Sequence, residues 1–192
     1  MIQLIIVDVD GVLTDGTVLV GEAGEPTKRF HVHDGVGLKL AMEAGKTVAL
    51  MTSAGSEGLT RRAEQLGIKR VYQFVPDKGR AYDALRDELG LHDDEICYIG
   101  DDLIDLAPMA RAGLPVAVAD AVDEVRAAAR FVTTRPGGQG AVREVVERIL
   151  KDEGVWDDAV ARLTAPGETA LRESAPRKGV PRKAAPRKAA RR

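Results

Sequence analysis

The chain has 192 residues, 44% hydrophobic and 30% charged, with one cysteine and a formal net charge of −2. That length suits one domain of about 150 residues plus an appendage. No apolar run reaches the ~18 residues of a membrane span, and the lone Cys97 excludes an internal disulfide. The opening MIQLIIVD has neither the basic region nor the apolar stretch of a signal peptide, so a reducing, cytoplasmic setting is expected.

In chain order, short runs rich in Ile, Val and Leu predict strands over 2–8, 47–51, 70–73, 95–99, 115–118 and 130–133. Between them, helical spacing predicts helices over 35–44, 56–66, 78–89, 103–112, 122–128 and 139–150, with Ser56 and Asp120 as N-caps. This alternation implies an α/β fold, a Rossmann-like doubly wound parallel sheet. Residues 17–32, TVLVGEAGEPTKRFHV, interrupt it: two β stretches around GEAGEP predict a β-hairpin inserted after the first strand. Trp156 is expected to anchor the segment that follows the last helix. Beyond it the composition shifts to Ala, Pro, Arg and Lys, with PRK recurring at 176–178, 181–183 and 186–188. The predicted organisation is a domain over 1–163 and a low-complexity basic tail over 164–192, disordered when alone. Residues 172–192 carry nine Lys/Arg against one Glu, so the body is acidic where the tail is basic.

Ligands of an open parallel sheet bind outside the carboxyl ends of its strands, and the residues there form a coherent set. Asp8 and Asp10 follow the first strand, Thr52 the second, Lys78 lies beyond the third, and Asp101 and Asp102 follow the fourth. Carboxylates converging in one cleft stay ionised only around a cation, and an oxygen-only ligand set indicates Mg²⁺. A lysine and a hydroxyl opposite would grip a phosphate. A calcium loop is the competing reading of DVDG, but counting from Asp8 puts Leu13 and Leu19 where an EF-hand needs Gly and Glu. Residues i and i+2 of a strand project to one side, so Asp8 and Asp10 can address one substrate.

DVDGVLTDG, a Thr after the second strand, a Lys at a helix start and YIGDDLIDLAPM together resemble the four motifs of the haloacid dehalogenase (HAD) superfamily. More narrowly, DGVLTDG, FHVHDGVGLKL, GDDLIDLAPM and GGQGAVREV resemble its branch without a cap domain, typified by 3-deoxy-D-manno-octulosonate 8-phosphate (KDO 8-phosphate) phosphatase. The resemblance implies a Mg²⁺-dependent phosphatase of a small phosphorylated sugar acid acting through an aspartyl-phosphate. Asp8 would be the nucleophile and Asp10 the general acid and base. Mg²⁺ would be held by Asp8, the Asp10 carbonyl, Asp101 and, nearby, Asp102, while Thr52 and Lys78 hold phosphoryl oxygens. Asp34 and Gly35 match the family's Asp-Gly and would line the substrate cleft. The resemblance also implies a homotetramer in which hairpins associate and neighbouring subunits limit access.

Two positions depart from the family. His33 stands where Arg or Lys is usual, and Thr52-Ser53-Ala54 replaces the common Thr-Gly-Arg, with Arg61 or Arg62 as possible substitutes or helix-face ion pairs. Asp105 either orients a site residue such as Lys78 or stabilises a helix start, and Asp15 is expected to shape the hairpin root. PGGQGAVREV lacks the spacing and Lys of a P-loop and reads as a flexible lead into the last helix. The alternatives are a phosphatase of another 2-keto-3-deoxy sugar acid or sugar phosphate, or a non-catalytic assembly module like the related domains fused to sialic acid cytidylyltransferases. For the tail, contact with nucleic acid or another polyanion, docking on the acidic body, and solubility are all open readings.

Overall fold

The computed structural model describes residues 1–20 and 26–165; the basic tail and the centre of the hairpin lie outside the described residues. Six strands form one parallel sheet: β1 (Leu4–Asp8), β4 (Thr47–Met51), β5 (Arg70–Tyr72), β6 (Ile96–Gly100), β7 (Leu114–Ala117) and β8 (Phe131–Val132), in the order β5-β4-β1-β6-β7-β8. A short antiparallel pair, β2 (Leu19–Val20) and β3 (Pro26–Thr27), follows β1 with Leu19 opposite Thr27. The helices are α1 (Val32–Glu43), α2 (Glu57–Leu66), α3 (Lys78–Leu89), α4 (Leu106–Met109), α5 (Asp123–Ala128), α6 (Ala141–Asp152) and α7 (Trp156–Thr164).

Strand order explains where the site must lie. From β1 the chain steps outward to β4 and β5, then crosses back to β6 on the other side of β1 and proceeds to β7 and β8. With right-handed crossovers, that reversal sends α1 and α2 to one face and α3, α4 and α5 to the other. The contacts agree: α1 packs on α2, α6 and α7, whereas α4 packs on α3 and α5. The reversal opens a crevice at the carboxyl end of β1. β1 and β6 are paired in register, Leu4 to Ile96 through Val7 to Ile99, and all eight of those side chains are fully buried. Covered on both faces, these strands need continuous apolar runs, which is why LIIV and ICYI read as strands at once.

Several boundaries move. The hairpin's second strand ends at Thr27, and Val32 already opens α1 with His31 as its N-cap, so His31 and His33 do not share a strand face. Their rings meet edge to face at 5.0 Å. The helix expected over 103–112 is broken into a 3-10 turn, Leu103–Asp105, and the four-residue α4. Asp120 does not cap α5, whose N-cap is Val122; its carboxylate accepts from Gly137 N instead, at 2.8 Å. Ser56 caps α2 as expected, accepting from Leu59 N. Trp156 lies beneath Arg143 and Lys151, 5.4 and 4.9 Å from the ring centre.

The glycine-rich segment before α6 is a buttress rather than a flexible lead. Gly138 N donates to Val12 O at 2.9 Å, and a Cβ on Gly137 would stand 1.7 Å from Gly11 O. Only backbone can approach the turn after β1 so closely.

Candidate active site

β1 ends on Asp8, and the chain turns out of the sheet through one wide helical turn, Val9–Leu13, closed by Thr14 N donating to Val9 O. Gly11 makes that turn possible with φ 92, and a Cβ there would collide with Asp101 Oδ2 at 2.0 Å. Asp10 lies in that turn, outside the strand, so strand pleat does not set its direction. Asp8 points into the crevice, 4% exposed, while the Asp10 carboxylate turns to the rim.

Asp8 is held by Lys78, the first residue of α3. The Lys78 ammonium, itself buried, donates at 2.7 Å to Asp8 Oδ1 and at 2.7 Å to Asp105 Oδ1. Asp105 is fully buried and fully engaged: Tyr98 OH donates to Oδ1 at 2.8 Å, and Asp101 N and Asp102 N donate to Oδ2 at 3.0 and 3.3 Å. Asp105 therefore both orients Lys78 and fixes the turn after β6. Asp102 faces solvent and caps that turn through Leu103 N at 2.7 Å, so its side chain stands apart from the acidic cluster.

The carboxylates of Asp8, Asp101 and Asp105 lie within 4.8 Å of one another. Burial first, then Asp105, pushes the Asp8 carboxyl up to about 6, against the pull of Lys78. Burial and the charge of Asp8 push Asp101 up to about 8. Lys78 is raised despite burial because two carboxylates outweigh the desolvation. Among the described residues Asp101 Oδ1 is buried without a hydrogen-bond partner. A buried orphan oxygen next to raised carboxyls and an oxygen-only donor set fit a divalent cation. Asp8 and Asp101 are the side chains free to bind one, since each Asp105 oxygen already accepts two hydrogen bonds.

On the opposite rim, Thr52 Oγ1 donates to Asp10 Oδ2 at 3.0 Å and accepts from Ala54 N at 3.0 Å. Lys28, on the hairpin's return, pairs with Asp10 Oδ1. Arg29 pairs with Asp15, whose other oxygen accepts from Thr17 N at 3.1 Å, so Asp15 does shape the hairpin root. Lys28 and Tyr98 are contributors the sequence reading passes over: one needs the hairpin folded back onto Asp10, the other sits inside an apolar strand.

Asp34 does not line the cleft. It is fully buried, and its oxygens accept from Gly140 N at 3.1 Å and Arg143 N at 2.9 Å, capping α6 from α1. Burial raises its carboxyl, opposed by those two bonds. Gly35 is the floor beneath Arg62, where a Cβ would meet the guanidinium at 2.4 Å. Arg62 thus covers α1, and Arg61 pairs with Glu57 on its own helix.

A family model of haloacid dehalogenase-like hydrolases matches residues 71–145. The 3-deoxy-D-manno-octulosonate 8-phosphate phosphatase KdsC of Escherichia coli K12 is 41% identical over 158 residues, covering 82% of this chain and 84% of that protein. The chain belongs to this family of HAD hydrolases. The Yersinia pestis KdsC is 45% identical over 149 residues, 78% of this chain and 80% of that protein. The Moraxella catarrhalis KDO 8-phosphate phosphatase, solved in complex with magnesium, phosphate and KDO, superposes with a TM-score of 0.81 at 39% identity, covering 85% of this chain and 94% of that one. The HAD fold expected from the motifs is therefore the fold observed.

Proposed function

We propose that this enzyme is a Mg²⁺-dependent phosphomonoesterase whose substrate is KDO 8-phosphate, acting through an aspartyl-phosphate on Asp8. The observation that carries the chemistry is the buried Asp8 carboxylate at the switch point of the sheet, gripped by Lys78 at 2.7 Å and close to an Asp101 oxygen that has no hydrogen-bond partner among the described residues. The substrate assignment is supported by the relatives, which at 41% and 45% identity are phosphatases of that sugar acid.

In this mechanism Asp8 forms a bond to phosphorus as the phosphorus–oxygen ester bond breaks, and Asp10 gives its proton to the departing alkoxide. Asp10 then takes a proton from water, which attacks phosphorus, breaks the acyl-phosphate and restores Asp8. Lys78 and Thr52 offset the charge that builds on the phosphoryl oxygens. Asp8, the Asp10 carbonyl and Asp101 would hold Mg²⁺, which supplies charge neutralisation of the phosphoryl group when bound. Asp105 and Tyr98 position Lys78, and Lys28 and Thr52 position Asp10.

A homotetramer built on the hairpins suits the exposed Val18, Leu19 and Val32 around the hairpin root. Among the described residues no helix is long and apolar enough to cross a membrane. Purified protein should release phosphate from KDO 8-phosphate faster than from 2-keto-3-deoxynononate 9-phosphate and common hexose phosphates, and EDTA should abolish release. EDTA-insensitive turnover, or a preference for hexose phosphates, would overturn the metal or the substrate assignment respectively.

A further inference from the structure

Phe74 is held against its own preference. It is the one non-glycine among the described residues with positive φ, at 57°, and it stands 73% exposed. A bulky residue in the left-handed region is strained, and glycine would remove both the strain and the exposed ring. Neither folding nor solubility accounts for a phenylalanine there.

Its surroundings point to the site. The ring lies on Gly55, where a Cβ would come within 2.1 to 2.6 Å of three ring carbons. Gly55 has no positive φ, so its missing side chain makes room for the ring. Both segments are tied to Thr52: Thr52 N donates to Tyr72 O at 2.9 Å and Val75 N to Thr52 O at 3.1 Å. Gln73 locks them together, accepting from Ser56 N at 2.7 Å and donating to Thr60 Oγ1 at 2.9 Å. This clamp sits at the carboxyl ends of β4 and β5, beside Ser53 and Ala54, where the family's common arginine is absent.

We infer that Phe74 is a specificity-determining residue of this phosphatase, an apolar wall on which the C–H face of the sugar acid rests while its phosphate reaches Asp8. The inference deepens the function proposed above and depends on it. An aromatic face meets the carbon skeleton of a sugar acid but has nothing to hold in a small acyclic phosphate ester. It therefore sets preference between substrates rather than the rate of the chemical step.

The test compares wild type, F74G, F74Y and G55A on KDO 8-phosphate and ethyl phosphate, with thermal melts alongside. F74G should lower the ratio of the two kcat/KM values about tenfold, or about 1.4 kcal/mol, through KM for the sugar acid. Its Tm should rise as the strain is relieved. F74Y should retain the wild-type ratio, and G55A, whose new methyl displaces the ring, should fall toward F74G. A raised Tm with an unchanged ratio in F74G would overturn the inference, as would a change of oligomeric state alone. Absence of wild-type turnover of KDO 8-phosphate would overturn the substrate assignment instead. The ratio would then be read on the sugar phosphate the wild type hydrolyses best, where an unchanged F74G again overturns the role of Phe74.

Discussion

Lys78→Met removes an ammonium from between two buried carboxylates and keeps most of the aliphatic stem. Two hydrogen bonds of 2.7 Å are lost. Asp105 retains Tyr98 and two backbone donors, so the cost falls on Asp8, which loses the Lys78 hydrogen bond. Breaking a buried ion pair from one side costs about 3–5 kcal/mol. Asp8 can escape part of this by taking up a proton, because burial already holds its carboxyl near 6. We expect about 3 kcal/mol at pH 8 in EDTA and about 1 kcal/mol at pH 5, read from urea unfolding. The sign follows from linkage: Lys78 favours the ionised carboxylate, so its contribution grows as pH rises through the folded Asp8 value of about 6 and persists until the lysine itself deprotonates. With Mg²⁺ present, kcat should fall by about 10²–10³, the usual loss for one donor to developing charge. A stability loss under about 1 kcal/mol at pH 8, or one that does not vary with pH, would refute the reasoning.

Three further outcomes follow from the same geometry. The carboxyls of Asp8 and Asp101 are raised to about 6 and about 8, above the unfolded 3.8, so the stability they confer when protonated is lost as pH climbs through those values. In EDTA, thermal melts should show Tm falling from pH 5 to pH 8, and Mg²⁺ should remove most of that slope; parallel curves with and without metal would contradict the ligand assignment. Asp34→Ala should cost about 1–2 kcal/mol through loss of the α6 cap, measured by urea unfolding, with KM of the folded enzyme close to wild type. A large rise in KM would return Asp34 to the substrate cleft. Lys28→Met, which frees Asp10 Oδ1, should lower kcat about tenfold while urea unfolding stays close to wild type; an unchanged kcat would remove Lys28 from the site.

How much of this was legible follows from the distance over which each signal acts. Asp8 and Asp101 end buried apolar runs, and strand order delivers any residue at those ends to one crevice. Lys78 opens the helix that follows β5 and is placed by the same rule. Asp34 was legible as a motif but not in its task, because the backbone it caps lies 106 and 109 residues away. Asp102 and Asp105 sit three residues apart, and only the tight turn after β6 decides which carboxylate goes inward. The 103–112 helix failed for the same reason, since the turn that aims Asp105 at Lys78 interrupts it. Phe74 carried no signal, because a positive φ at phenylalanine is a tertiary imposition that no propensity anticipates.

The central claim is that Asp8 carries the phosphoryl group during turnover, and a chemical trap reads it directly. Borohydride added to enzyme turning over KDO 8-phosphate with Mg²⁺ reduces an acyl-phosphate to homoserine, which peptide mass spectrometry locates. Homoserine is expected at position 8, absent in EDTA and in Asp8→Asn, which should also release no phosphate. Undiminished turnover in Asp8→Asn, or homoserine at position 10 or 101 with Asp8 intact, would contradict it.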